Sequence, residues 1–217
     1  MSMRGRFITI EGGEGVGKST QLAALRAWLQ TLGHETVFTR EPGGTPRAER
    51  IRELLLENSS EPMPPISELL LMFAARATHI ANVIEPALAR GAWVVCDRFT
   101  DATYAYQGAG RGVDVTQIST LENLVQGSLR PDLTLLLDAP LELSAVRARN
   151  RNDTAGVTDR FEREQRAFFD RVRNGYLERA RLEPARIAVI DASASVESVS
   201  ESIRQTIQQR LLDRSHG

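Results

Sequence analysis

Residues 12–19 read Gly-Gly-Glu-Gly-Val-Gly-Lys-Ser, which satisfies the spacing G-x-x-x-x-G-K-[ST]. An apolar run at 6–11 precedes them and reads as a short strand. Leu22, Leu25, Trp28, Leu29 and Leu32 follow at helical spacing, and Gly33 ends that helix. A strand, a glycine loop and a helix in this order constrain the chain more than anything else in it. The glycines let backbone wrap closely around phosphate oxygens, and consecutive N–H groups at the helix start supply positive potential. In this geometry Lys18 reaches the β- and γ-phosphates of a nucleotide, with the Ser19 hydroxyl on Mg²⁺. Composition adds weight: of 27 cations one is lysine, so 26 are arginine, and the one lysine is Lys18. A compact ammonium is not interchangeable with a planar guanidinium, so the arginine bias is broken where the chemistry requires it.

Further along, 35–39, 92–96, 133–137 and 186–190 read as four more apolar strands. Helical patterns alternate with them. A short helix precedes the proline-rich 58–65, which reads as disordered; a long helix over 66–90 is expected to bend at Pro86. Beyond 92–96, helical stretches are split by the glycine-rich 108–112. A helix from about 141 enters the arginine-rich stretch 147–160, and helices at 161–181 and 196–212 follow. This alternation predicts an α/β fold: a P-loop NTPase-type, doubly wound sheet of five parallel strands with helices on both faces. No linker divides the chain, so 1–217 reads as a single domain with a mobile lid at about 147–160. Ligands gather outside the carboxyl ends of the strands in such sheets, so the chemistry belongs on one edge.

Length and charge narrow the class. The chain has 217 residues and a formal charge of −1. A near-neutral balance argues against a nucleic-acid partner, and no stretch approaches the roughly 20 apolar residues of a membrane span. The single cysteine excludes an internal disulfide and a cysteine-based zinc site. A cytoplasmic location is expected. Cys96 reads as buried filling, while His34, His79 and His216 lack metal-ligand spacing and are read as structural. Asp191 is expected in a loop on the adenine side.

Asp97-Arg98, ending the third strand, set a carboxylate beside a guanidinium. Arg98 suits an acceptor phosphate, because its fork matches phosphate oxygens; Asp97 would hold Mg²⁺ through water or orient Lys18. Arg147, Arg149, Arg151 and Arg160 flank Gly156 and suit a lid that neutralises charge and excludes water. A guanine-reading Asn-Lys-x-Asp is impossible with one lysine, and Asp138 is followed by Ala139 and Pro140 rather than a glutamate. Both absences favour phosphoryl transfer to a small acceptor. A P-loop ATPase serving as a regulatory module remains the alternative of another class.

The segments IEGGEGVGKST, TREPGGT, LLMFAARATH, DRFTDATYAYQGAGRG and RPDLTLLLD stand in this order between residue 6 and about 191. Together they closely resemble the bacterial thymidylate kinases, within the P-loop nucleoside monophosphate kinases. The resemblance implies transfer of the γ-phosphate of ATP to dTMP, a need for Mg²⁺, and a homodimer; kinases of another nucleoside monophosphate or of a nucleoside are the neighbouring alternative. By this resemblance Gly12, Gly13, Glu14, Gly15, Val16, Gly17, Lys18, Ser19 and Thr20, joined by Arg147, hold ATP. Lys18, Asp97, Arg98, Arg149, Arg151 and Arg160 are the implied catalytic residues, with Ser19 and Asp97 toward the metal. Arg40, Glu41 and Pro42 would line the dTMP side, Arg76 would hydrogen-bond the thymine, and Thr103, Tyr106 and Gln107 would contact base and sugar. Glu14 and Val16 stand where one subtype carries an arginine, so this sequence resembles the subtype with catalytic arginines in the lid. It departs from the pattern twice. Met72, with Phe73 next to it, occupies the place of the phenylalanine that covers the base, and the lid between Arg151 and Asp159 is longer than usual.

Overall fold

The computed structural model describes residues 4–57, 60–149 and 159–213. Five parallel strands form one sheet: β1 (Phe7–Glu11), β2 (Thr36–Arg40), β3 (Trp93–Asp97), β4 (Leu133–Asp138) and β5 (Ile187–Asp191), in the order β2-β3-β1-β4-β5. Every residue of β1 is buried, as expected of a central parallel strand covered on both faces. Successive side chains point to opposite faces. Ile8 and Ile10 join one core with Leu133, Leu135 and Leu137, while Phe7 joins a second with Val94, Cys96 and Phe99. The first core is closed by α1 (Lys18–Thr31) and α9 (Val196–Ile207), through Leu25, Leu29, Val199 and Ile203. On the sequence, this is the two-faced sheet that five short apolar runs require.

Register brings the strand ends to one edge. Asp97 lies opposite both Ile10 and Arg40, and Asp138 lies opposite Asp191. The chain diverges on either side of β1, toward β3 on one hand and β4 on the other, which is the switch point where such sheets bind ligands.

The helices follow the expected order with local differences. α2 (Pro46–Leu56) begins well before the apolar run that revealed it, because Thr45 caps it through the Ala48 N–H and Pro46 suits the first turn. The long pattern over 66–90 divides into α3 (Pro65–His79), wide π-helical turns at Ile80–Ile84, and α4 (Glu85–Ala89). Pro86 offers no N–H to the preceding turn and its ring crowds that turn's carbonyl; the wider turns just ahead of it absorb the mismatch. The glycine-rich 108–112 splits the helical stretches as expected: α5 (Thr100–Thr103) runs on through π-helical turns at Tyr104–Gly110, and the break comes at Arg111-Gly112 before Asp114 caps α6 (Val115–Gln126). α7 (Leu141–Arg149) and α8 (Asp159–Leu182) complete the set, and α9 ends in π-helical turns at Gln208–Leu212. Arg151 and the rest of 150–158 lie outside the described residues, as do the side chains of 148–165, including Arg149 and Arg160. Among the described residues no helix is long and apolar enough to cross a membrane.

Candidate active site

The loop after β1 is shaped by backbone. Gly12 has φ 131°, and a Cβ there would lie 2.4 Å from the Leu137 carbonyl oxygen, so only glycine fits. Gly17 (φ 94°) starts α1, which has no side-chain cap and no acid in its first turn. Its first N–H groups are therefore open to an anion. The Lys18 ammonium donates to the carbonyls of Gly12 (2.9 Å) and Gly13 (2.7 Å). Burial, with the nearby Arg98 guanidinium, lowers its pKa to about 8. Val16 and Gly15 are buried, whereas Glu14, Ser19 and Thr20 face outward.

Beside this loop, Arg98 takes a left-handed backbone (φ 67°), the only non-glycine among the described residues to do so. Three contacts hold it there. Its N–H donates to Ile10 O (3.0 Å), the Cys96 thiol donates to its carbonyl (3.0 Å), and the next N–H, of Phe99, donates to Glu11 Oε1 (2.7 Å). Glu11 also accepts from the Tyr176 hydroxyl of α8 at Oε2 (2.8 Å). Burial pushes this carboxyl up to about 7, with the charge of Asp101 adding to it. The Arg98 guanidinium donates to the Tyr106 hydroxyl (2.9 Å) and lies over its ring. Asp97 has Oδ1 buried without a hydrogen-bond partner among the described residues. An unpartnered carboxylate oxygen beside a phosphate loop fits a cation or its water. Among the described residues, no group of three or more His, Cys, Asp and Glu could hold a metal ion.

A second wall forms around Arg76, which is 1% exposed. Its Nε donates to Glu41 Oε2 (2.7 Å), and Nη2 donates to Phe99 O (3.2 Å) and Thr103 Oγ1 (3.0 Å). Nη1 is buried with no partner among the described residues, as is Gln107 Oε1. Gln107 donates from Nε2 to Glu68 Oε1 (2.7 Å). Phe73 lies under the Arg76 guanidinium (4.7 Å) and packs with Leu69, Tyr104 and Ile118; Met72 is only half-buried. The Glu41–Pro42 peptide is cis, and Arg52 donates to the Pro42 carbonyl (3.1 Å). Arg40 is exposed and pairs with Glu49 (2.9 Å), whose other oxygen accepts the Gly44 N–H (2.9 Å). These two contacts, the Gly44 N–H first, hold the Glu49 carboxyl below its usual range. Burial, with the charges of Arg40 and Arg98, lowers the Arg52 pKa, while Glu49 and Asp97 oppose them.

The structure thus brings together Lys18, Asp97, Arg98, Glu41, Arg76, Thr103 and Tyr106 at the strand edge. Arg147 stands apart, donating to the Ala192 carbonyl beside the β5 loop (2.8 Å), where Asp191 accepts from Ser193. Sequence reasoning missed Glu11, Glu49, Arg52 and His79, and also the Asp138–Arg173 pair that pins α8 to the end of β4 (2.7 Å). Glu11 had one signal, an acid closing an otherwise apolar strand.

A parallel sheet ordered β2-β3-β1-β4-β5, with this glycine loop at its switch point, defines a P-loop nucleotide-binding protein. The model of the thymidylate kinase family matches residues 10–203. A thymidylate kinase from Chromohalobacter salexigens is 62% identical over 209 residues, covering 95% of this chain and 97% of that one. One from Pseudomonas putida is 59% identical over 215 residues, covering 99% and 100%. The solved thymidylate kinase from Ehrlichia chaffeensis superposes with a TM-score of 0.77 at 33% identity, over 94% of this chain and 99% of that one. The chain belongs to the thymidylate kinase family.

Proposed function

We propose that the chain transfers the γ-phosphoryl group of ATP to dTMP, yielding ADP and dTDP, and that it works as one kinase unit. The observation that carries the acceptor is the pair of orphaned atoms, Arg76 Nη1 and Gln107 Oε1. A guanidinium nitrogen only donates and an amide oxygen only accepts. Thymine offers an O4 acceptor and an N3–H donor to such a pair, whereas cytosine offers an amino donor and an N3 acceptor. With Phe73 committed to the core, Met72 is the side chain left to cover the base.

Arg98 takes the acceptor phosphate, with Arg52 and Arg40 adding to the local positive field, and Tyr106 braces Arg98. Gly12 through Thr20 cradle the donor phosphates, with Lys18 moving from loop carbonyls to phosphate oxygens. Arg147 borders the nucleoside side of ATP. Arg149, Arg151 and Arg160 of the lid supply cationic charge as the phosphoryl group passes. Asp97 and Ser19 would hold Mg²⁺, which neutralises phosphate charge when bound. A reaction that draws on ATP and dTMP supports a cytoplasmic location. A homodimer is supported by exposed apolar side chains on two helices that pack together, Ile66 and Leu70 on α3 and Val115 and Leu124 on α6; sedimentation velocity tests it.

A coupled ADP-release assay over nucleoside monophosphates and thymidine tests the assignment. The expected order by kcat/KM is dTMP first and dUMP roughly 10–200-fold lower for the missing methyl, with dCMP lowest because polar groups stay unpaired. Better use of dCMP than dUMP, or of thymidine than dTMP, contradicts it.

A further inference from the structure

Behind Arg76 lies a chain of hydrogen bonds that the sequence did not suggest. His79 is the last residue of α3, one turn beyond Arg76, and is 0% exposed. Its Nδ1 is 2.9 Å from Glu41 Oε1, and its Nε2 is 2.7 Å from Thr39 Oγ1. A carboxylate only accepts, so Nδ1 carries the proton and donates it to Glu41. Both ring nitrogens are engaged, and the imidazole has one orientation. Gly44 makes room for it: a Cβ there would lie 2.5 Å from His79 Nε2 and 2.6 Å from Thr39 Oγ1.

The consequence falls on Glu41. Arginine and carboxylate ordinarily meet through a two-pronged fork. Here His79 fixes the orientation of the carboxylate through Oε1, and in that orientation Glu41 accepts a single bond from Arg76, at Nε. Nη2 goes instead to Phe99 O and Thr103 Oγ1, and Nη1 is left facing no protein partner. Without the His79 bond the carboxylate could rotate, draw Nη2 into the fork, turn the guanidinium and carry Nη1 away from its present position.

We propose that His79 is a positioning residue for base recognition: anchored by Thr39, it fixes the orientation of the Glu41 carboxylate and so keeps Arg76 Nη1 directed at the nucleobase. This rests on the reading of Arg76 as the base-contacting residue. The relay does not touch the donor side, so its loss is felt on the acceptor and not on ATP.

The test compares kcat/KM for dTMP and dCMP in the wild type, His79→Leu, His79→Asn, Arg76→Ala and the double variant His79→Leu/Arg76→Ala, with melting temperatures recorded throughout. His79→Leu is expected to raise KM for dTMP roughly tenfold, the scale of a lost hydrogen bond to a charged group, and to compress the dTMP-to-dCMP ratio by a similar factor. KM for ATP stays unchanged. His79→Asn, whose amide N–H can still donate to Glu41, recovers most of that ratio. Added to Arg76→Ala, His79→Leu changes the ratio no further, because it acts through Arg76. A wild-type ratio in His79→Leu accompanied only by a lower melting temperature overturns the proposal, as does an equal loss on top of Arg76→Ala. If Arg76→Ala itself leaves the ratio intact, the base-reading role of Arg76 falls first and the relay with it. Should His79→Leu not fold, Thr39→Val probes the same relay from its far end; there a smaller compression is expected, and an unchanged ratio overturns the proposal.

Discussion

The phosphate loop and the Arg76 pocket hold their ligands by opposite means. The loop is nine consecutive residues, Gly12 to Thr20, whose function rests on backbone: glycine dihedrals, an uncapped helix start, and one ammonium tied to two loop carbonyls. The pocket draws on β2, the 41–44 turn, α3, the end of β3 and α5, and depends on side chains that position one another. Backbone can meet phosphate because phosphate is nearly symmetric and charged. A base edge is neither, so reading it takes donors and acceptors fixed in direction.

Four substitutions press on that contrast. The largest effect is expected from Lys18→Arg. A planar cation cannot occupy the space a compact ammonium does inside the loop, so kcat falls by roughly 10²–10³, the scale of one lost transition-state donor. Near-normal kcat would mean the loop tolerates side-chain shape after all. Gly44→Ala comes next, because it forces a left-handed residue (φ 84°) against His79. At about 1–2 kcal/mol for the backbone alone and about 2–4 °C per kcal/mol in a chain of this size, melting temperature drops measurably, and KM for dTMP rises with it. Glu11→Gln is subtler and depends on pH. Burial lifts the Glu11 carboxyl from its ordinary 4.5 to about 7, so the folded chain holds a proton that the unfolded chain has released. Wild-type stability therefore declines through this group as pH rises from 4.5 to 7. The melting temperature of Glu11→Gln, relative to wild type, should climb over that window; a flat difference from pH 4.5 to 8 contradicts the shift. Gly13→Ala should do least. A Cβ there meets nothing within 4 Å, and an unchanged melting temperature is expected beside the loss at Gly44.

The same contrast explains what could be read from the sequence. The five strands were legible, each within a residue of its observed start, because parallel strands buried on both faces appear as short apolar runs. The loop was legible because its parts are contiguous. Arg98 was legible from its place beside Asp97 at a strand end and Arg76 through resemblance to the family, but their supports were not: Glu11 meets Phe99 across 88 residues, and Thr39 meets His79 across 40. No spacing rule spans such distances. His79 read as a structural histidine, and burial alone would not have separated that from a relay. The π-helical turns at Ile80–Ile84 and Tyr104–Gly110 left no local signature beyond Pro86 and a run of glycines. Whether Met72 or Phe73 is free to cover a base depends on which of two adjacent residues the core claims, and Leu69, Tyr104 and Ile118 claim Phe73.

The strand edge is divided, with donor phosphates at the glycine loop and the acceptor phosphate at Arg98 in the proposed reaction. Calorimetric titration of Arg98→Ala with dTMP alone, and separately with ATP alone, tests that division most directly. Loss of a charged hydrogen-bond partner should weaken dTMP roughly 10–100-fold, with ATP affinity as in the wild type. If ATP affinity falls and dTMP binds as before, donor and acceptor sides are exchanged and the division is wrong.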